Sequence, residues 1–129
     1  MVNKSPKPPI KAQIGYLFFP DGRTIRVRPA NNRRFMLQEF QKAIGGYVER
    51  VRPRQELKYT ELIVNEEGQR LDLPLNKHSQ SVVDIEFYGY GSNWKAYGII
   101  FGIKTDVFDP QLPTVTQVMR KESIHASKQ

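Results

Sequence analysis

The chain has 129 residues, of which 39% are hydrophobic and 26% charged, and it carries a formal net charge of +7. Those values fit one ordinary folded domain and exclude wholesale disorder. The absence of cysteine excludes a disulfide framework, a thiolate metal site and a thiol nucleophile.

The positive charge is concentrated. Residues 23–54 hold nine basic side chains against two acids, Glu39 and Glu49, while the rest of the chain holds eleven of each sign. Such asymmetry points to an anionic partner.

Residues 1–13, "MVNKSPKPPIKAQ", have no apolar periodicity and read as a basic flexible arm. They lack the apolar run of a secretory signal. No stretch of about 18 apolar residues occurs anywhere, so no membrane partner is expected.

A single α+β domain is expected over 14–110. "IGYLFFPDGRTIRVRP" predicts two strands around a Pro-Asp-Gly turn. Period-2 geometry sends Ile25 and Val27 to one face and Thr24, Arg26 and Arg28 to the other. Over 31–44 the apolar spacing of three and four predicts a helix of about three turns, capped by Asn31 or Asn32 and packed through Phe35 and Phe40. Gly45 fits the residue that ends it. "YVERV" predicts a strand directly after the glycine pair.

"YTELIVNEEGQRLDLP" predicts a second hairpin turning at Asn65-Glu66-Glu67-Gly68, with Leu62 and Val64 on one face and Glu61 and Ile63 on the other. "LPLNKHSQSV" reads as a loop or one helical turn. The stretch 82–108 predicts two strands flanking a glycine-rich aromatic loop that gathers Tyr88, Tyr90, Trp94 and Tyr97. A C-terminal tail is expected over 111–129, with Thr114 and Gln117 able to cap a short helix. Together these elements predict an α+β fold: a mostly antiparallel sheet of six or seven strands packed by one main helix, with minor helical turns.

Phosphate-loop, dinucleotide, zinc-protease and nucleophile-elbow motifs are all missing. His78 and His125 lie far apart, which argues against a histidine metal site. Glu66 and Glu67 suit an exposed turn, and Asp84 with Glu86 suit an exposed strand face. No catalytic residue, metal or cofactor is therefore expected.

What the sequence offers instead is a row of arginines. Arg50, Arg52 and Arg54 alternate after "GGYVE", and Arg26 and Arg28 alternate on another strand. Antiparallel pairing of those strands would join the rows into one cationic strip. The planar guanidinium fork suits phosphate. Tyr88, Tyr90, Trp94 and Tyr97 would then add stacking on a base or ring. The alternative is a solvated sheet face with tyrosines at the rim of a core.

Finally, "FQKAIGGYVERV", "LIVNEEGQRLDLPLNKHS" and "YGIIFGIKTDVF" occur in this order over about 35–108. They resemble a small domain of unknown function found in bacteriophages, plasmids and bacteria. Gly45, Gly46, Tyr47, Glu49, Asn65, Glu66, Gly68, Pro74, Asn76 and Gly102 carry the resemblance. It implies a phage or mobile-element setting in the cytoplasm of a bacterial host, and it supplies no catalytic residue.

The expected function is that of a non-enzymatic binding protein for a phosphate-bearing ligand, either a nucleotide or a nucleic acid. A sequestered host defence signalling nucleotide falls within that class. The alternative is a protein-interaction module that inhibits or adapts a host factor. Exposed sheet edges make a homodimer or higher homo-oligomer plausible in either case.

Overall fold

The computed structural model describes residues 10–51, 60–79 and 95–127. Its elements are β1 (Lys11–Phe18), β2 (Thr24–Val27), α1 (Leu37–Ile44), β3 (Val48–Val51), β4 (Glu61–Asn65), β5 (Ile100–Val107) and α2 (Val115–Ser127). The strands form one antiparallel sheet in the order β2-β1-β5-β4-β3. The α+β class is as expected, with five strands among the described residues in place of six or seven. One of the predicted strands, over 82–88, lies outside the described residues.

The two long strands, β1 and β5, pair over their whole length, from Lys11 opposite Val107 to Phe18 opposite Ile100. Alternation then sorts the side chains. Leu17, Val27, Ile63, Phe101 and Ile103 face the helices and form one buried cluster with Phe35, Phe40, Ala43, Ile44, Val115 and Val118. Phe18, Val51, Leu62, Val64 and Ile100 build a second cluster with Ala96 on the other face. The predicted split of Leu62 and Val64 from Ile63 is what the sheet shows.

Phe101 is fully buried at the centre, with Phe35 and Phe40 meeting its ring edge-on at centroid distances of 4.9 and 5.0 Å. Burying an aromatic or aliphatic side chain of this size stabilises by roughly 1.5–3 kcal/mol. Gly15 makes the arrangement possible. A Cβ at that position would lie 2.7 Å from Val27 and 2.8 Å from both Phe101 and Phe35.

Four expectations need correction. The helix begins at Leu37 and has eight residues. Asn31 does not cap it; its Oδ1 accepts the N–H groups of Arg33 and Arg34, and the Phe35 N–H donates to Gln13 Oε1 at 2.8 Å. The chain thus turns at 31–33 and is tied back to β1 by the Gln13 N–H donating to Arg33 O and by the Phe35 bond, with Phe35 already in the core. The end of the helix follows expectation, with Gly45 and Gly46 both at positive φ.

The second hairpin also differs, because β4 has no return strand at 69–73. Hydrogen bonds from Leu71 N to Glu67 O and from Leu73 N to Gly68 O wind the chain through consecutive turns. β4 pairs with β3 and β5 instead.

At the N-terminal end, β1 begins at Lys11, inside the stretch expected to be an arm. The segment expected to be a tail contributes to the core: α2 buries Val115 and Val118. Its capping box is the predicted one, with Thr114 Oγ1 accepting the Gln117 N–H and Gln117 Oε1 accepting the Thr114 N–H.

Two buried asparagines join the layers. Asn76, 1% exposed, donates from Nδ2 to Phe18 O at 2.7 Å and to Gly98 O at 2.8 Å, while its Oδ1 accepts the His78 N–H. Asn65 donates from Nδ2 to Gly45 O at 2.8 Å, and its Oδ1 accepts the Glu67 N–H. Both residues belong to the motifs behind the family resemblance, and both serve as joints between segments.

Candidate anion-binding cleft

The helix side of the sheet carries a cleft of about 350 Å³ near the start of α1, walled by Gln13, Arg34, Met36, Leu37, Arg50 and Glu61 over a floor of Phe35, Phe40 and Ile103. Its volume lies at the lower end of the range for small-molecule sites, roughly 300–1,000 Å³. Each wall residue has a local cause. Gln13, Ile103, Glu61 and Arg50 lie on the helix-facing side of β1, β5, β4 and β3. Arg34 is positioned by the Asn31 turn. Met36 and Leu37 are exposed at the rim, where α1 begins.

The charges in this region are unevenly matched. Arg34 and Arg50 share the wall with one carboxylate, Glu61; Lys11 lies on the same face of β1 as Gln13 but outside the cleft lining. Arg50 Nη1 meets Glu61 Oε1 at 3.3 Å, with Arg50 63% and Glu61 23% exposed. Glu39, at the helix start, is otherwise engaged: its carboxylate accepts the N–H groups of Ala30 at 2.8 Å and Met36 at 2.7 Å.

A larger cavity of about 480 Å³ lies beside the first hairpin, lined in part by Arg23 and Lys77. Arg23 is already neutralised, because its guanidinium makes two bonds to Glu122, at 2.8 and 3.0 Å, and one to Asp21 at 2.8 Å. Those carboxylates raise its pKa further above its ordinary value. The partners flow the other way too: the Arg23 N–H holds the Asp21 carboxyl below the usual carboxylate range. A third cavity, of about 200 Å³ on the opposite face, is lined by Glu49, Glu66, Lys95 and Tyr97 and suits an anion poorly.

The expected arginine strip does not form. Among the described residues β2 and β3 are the two edge strands of the sheet and do not pair with each other. Arg26 projects to the face away from the helices, 6.0 Å from the centre of the Tyr16 ring. Arg28 is half-buried and structural, donating from Nε to Leu112 O at 2.8 Å and from Nη1 to Asn32 Oδ1 at 3.0 Å. Arg50 faces the helix side. Arg52, Arg54, Tyr88, Tyr90 and Trp94 lie outside the described residues.

Tyr97 forms a backbone bridge to Leu75 and lines the acidic cavity, away from both Arg26 and Arg50. His78 brings Nε2 within 2.7 Å of Gly22 O and packs against Phe18. Glu67 accepts a bond from Arg70 at 2.6 Å, in keeping with a turn. Among the described residues, no group of three or more His, Asp or Glu is placed to hold a metal ion, and no helix is long and apolar enough to cross a membrane.

Sequence reasoning missed Arg34, Gln13 and Glu61 as neighbours of Arg50. The available signal was the Arg33-Arg34 pair inside the basic window. Its meaning depends on the unforeseen return of 31–36 to β1.

Neither a curated protein nor a solved structure matches the chain. A family model described as a domain of unknown function, DUF3846, matches residues 14–102, extending the resemblance back through the first hairpin, and the chain belongs to that family.

Proposed function

We propose that this protein is a non-enzymatic binding protein that takes a phosphate-bearing ligand in the cleft between the start of α1 and the helix side of β3, β4 and β5. One observation carries the reading: Arg34 and Arg50, from separate segments, line the same concavity above an apolar floor. Two guanidinium groups supply paired donors to phosphate oxygens and keep their charge at any physiological pH. Met36 and Leu37 offer an apolar rim to a base or ring. The family resemblance favours a phage or mobile-element setting, in which sequestration of a host signalling nucleotide is one use of such a site.

Calorimetric titration with a panel of nucleotides and short single-stranded oligonucleotides tests this. A phosphate ligand binds the full chain, and Arg34→Ala and Arg50→Ala each weaken it about tenfold or more, the scale of a charge-assisted hydrogen bond. Steep loss of affinity with added salt identifies a polyanion, and a shallow slope identifies a nucleotide. Unchanged affinity in both variants would overturn the assigned cleft.

A second reading, a module that captures a host protein by strand addition, is favoured by one feature. Among the described residues β3 is an edge strand, and Tyr47, 70% exposed, leads directly into it. Co-purification of a stoichiometric protein partner that survives nuclease treatment would support it.

A further inference from the structure

We infer that Glu61 is an internal competitor for the ligand, holding Arg50 when the cleft is empty and giving it up when a phosphate arrives. The inference rests on the anion-binding reading of the cleft and assigns a charge-selective role to a residue on its wall. Arg50 lies opposite Ile63 in the β3–β4 register, so Glu61, two residues from Ile63, is its diagonal neighbour on the same face. The two groups meet through one contact of 3.3 Å. Charge-assisted bonds of this kind are typically about 2.7–2.9 Å.

The contrast with Arg23 is informative. That guanidinium is clasped by both oxygens of Glu122, at 2.8 and 3.0 Å, and serves as a fixed tie between the first hairpin and α2. The Arg50 pair is single, longer and open to solvent on the arginine side. Glu61 is the more enclosed partner, rooted at the start of β4. Thr60 beside it donates both N–H and Oγ1 to Ile103 O, at 2.9 and 3.0 Å. The arginine is therefore the partner that swings.

A terminal phosphate carries about −1.5 to −2 charges and three acceptor oxygens, enough to engage Arg34 and Arg50 together. Glu61 offers one charge and one contact to Arg50 alone. A multiply charged ligand displaces it, whereas a singly charged anion only equals it. Glu61 thus sets the charge a ligand must bring.

Titration of the full-length chain with inorganic pyrophosphate, at fixed salt, reads this directly. Glu61→Gln keeps the side-chain volume, removes the competing charge and tightens binding about threefold or more, on the scale of an exposed ion pair. Arg50→Ala weakens binding, and the double variant binds like Arg50→Ala alone, because Glu61 acts through Arg50. A purely structural Glu61 would give the opposite result, with Glu61→Gln unchanged or weaker while Arg50→Ala still loses affinity. That outcome overturns the competitor role and leaves the cleft standing. Absence of pyrophosphate binding in both wild type and Glu61→Gln overturns the cleft and the competitor role together.

Discussion

Arg26 and Arg50 stand on opposite faces and at opposite edges of the same sheet. The three intervening strands, at about 4.8 Å per step, put their backbones roughly 19 Å apart. They cannot grip one phosphate. If the cleft is the ligand site, Arg26→Ala leaves nucleotide affinity within about twofold of wild type while Arg50→Ala does not, a difference of more than about 1 kcal/mol by titration. Equal loss in both variants would point to a ligand that wraps around the sheet edge.

Arg28 has a different task. Its bonds to Leu112 O and Asn32 Oδ1 fasten the approach to α2 against the turn after β2. Arg28→Ala lowers the unfolding free energy by about 1–2 kcal/mol, because a half-buried carbonyl loses its charged donor. Denaturant unfolding measures this, and an unchanged midpoint would show that the fastening is idle.

Gly15 admits no side chain without movement in the core. Gly15→Ala places a methyl less than 3 Å from Val27, Phe101 and Phe35 and destabilises by about 1–3 kcal/mol through overpacking. Thermal unfolding gives the comparison. A variant as stable as wild type would mean that the aromatic cluster repacks freely.

Asn76→Ala leaves Phe18 O and Gly98 O without their shared donor in a buried place. A cost of about 1–3 kcal/mol is expected from the loss of the two buried hydrogen bonds, again read from denaturant unfolding. A loss below about 0.5 kcal/mol would contradict the role of Asn76 as a joint.

How much of this was legible beforehand depends on how local each signal was. The Pro20-Asp21-Gly22 turn, the alternation in β2 and β4 and the Thr114–Gln117 box depend on residues a few positions apart, and each appears where the sequence places it. The start of α1 did not, because Phe35 and Gln13 settle it across the domain through a bond from the Phe35 N–H to the Gln13 side chain that no periodicity encodes. The return strand at 69–73 failed for a related reason. Gly68 suits a hairpin turn by sequence, but in the fold it is required by the Tyr97 backbone, whose carbonyl oxygen would lie 2.7 Å from an added Cβ. The arginine row failed at the level of strand order. Each strand's facing was readable, but the distance between strands was set by β5, which enters between β1 and β4 from the far end of the chain.

The hairpin carboxylate at Asp21 gives a pH signature. The Arg23 N–H and then the Arg23 side chain hold its folded pKa below 3.8, its ordinary value. A depressed carboxyl pKa contributes stability that is present above the unfolded value and lost as pH falls through the folded one. Wild type should therefore exceed Asp21→Asn in thermal stability at neutral pH, with the difference closing well below pH 3.8. A gap that persists in strong acid would mean that the side chain acts through turn geometry alone.

The central claim is most directly tested by following backbone amide resonances of the isotope-labelled chain during titration with a nucleoside diphosphate. Saturable shifts concentrated at Gln13, Arg34, Met36, Leu37, Arg50 and Glu61 are the predicted result. Shifts gathered around Tyr16 and Arg26 on the other face, or none at millimolar ligand, would contradict it.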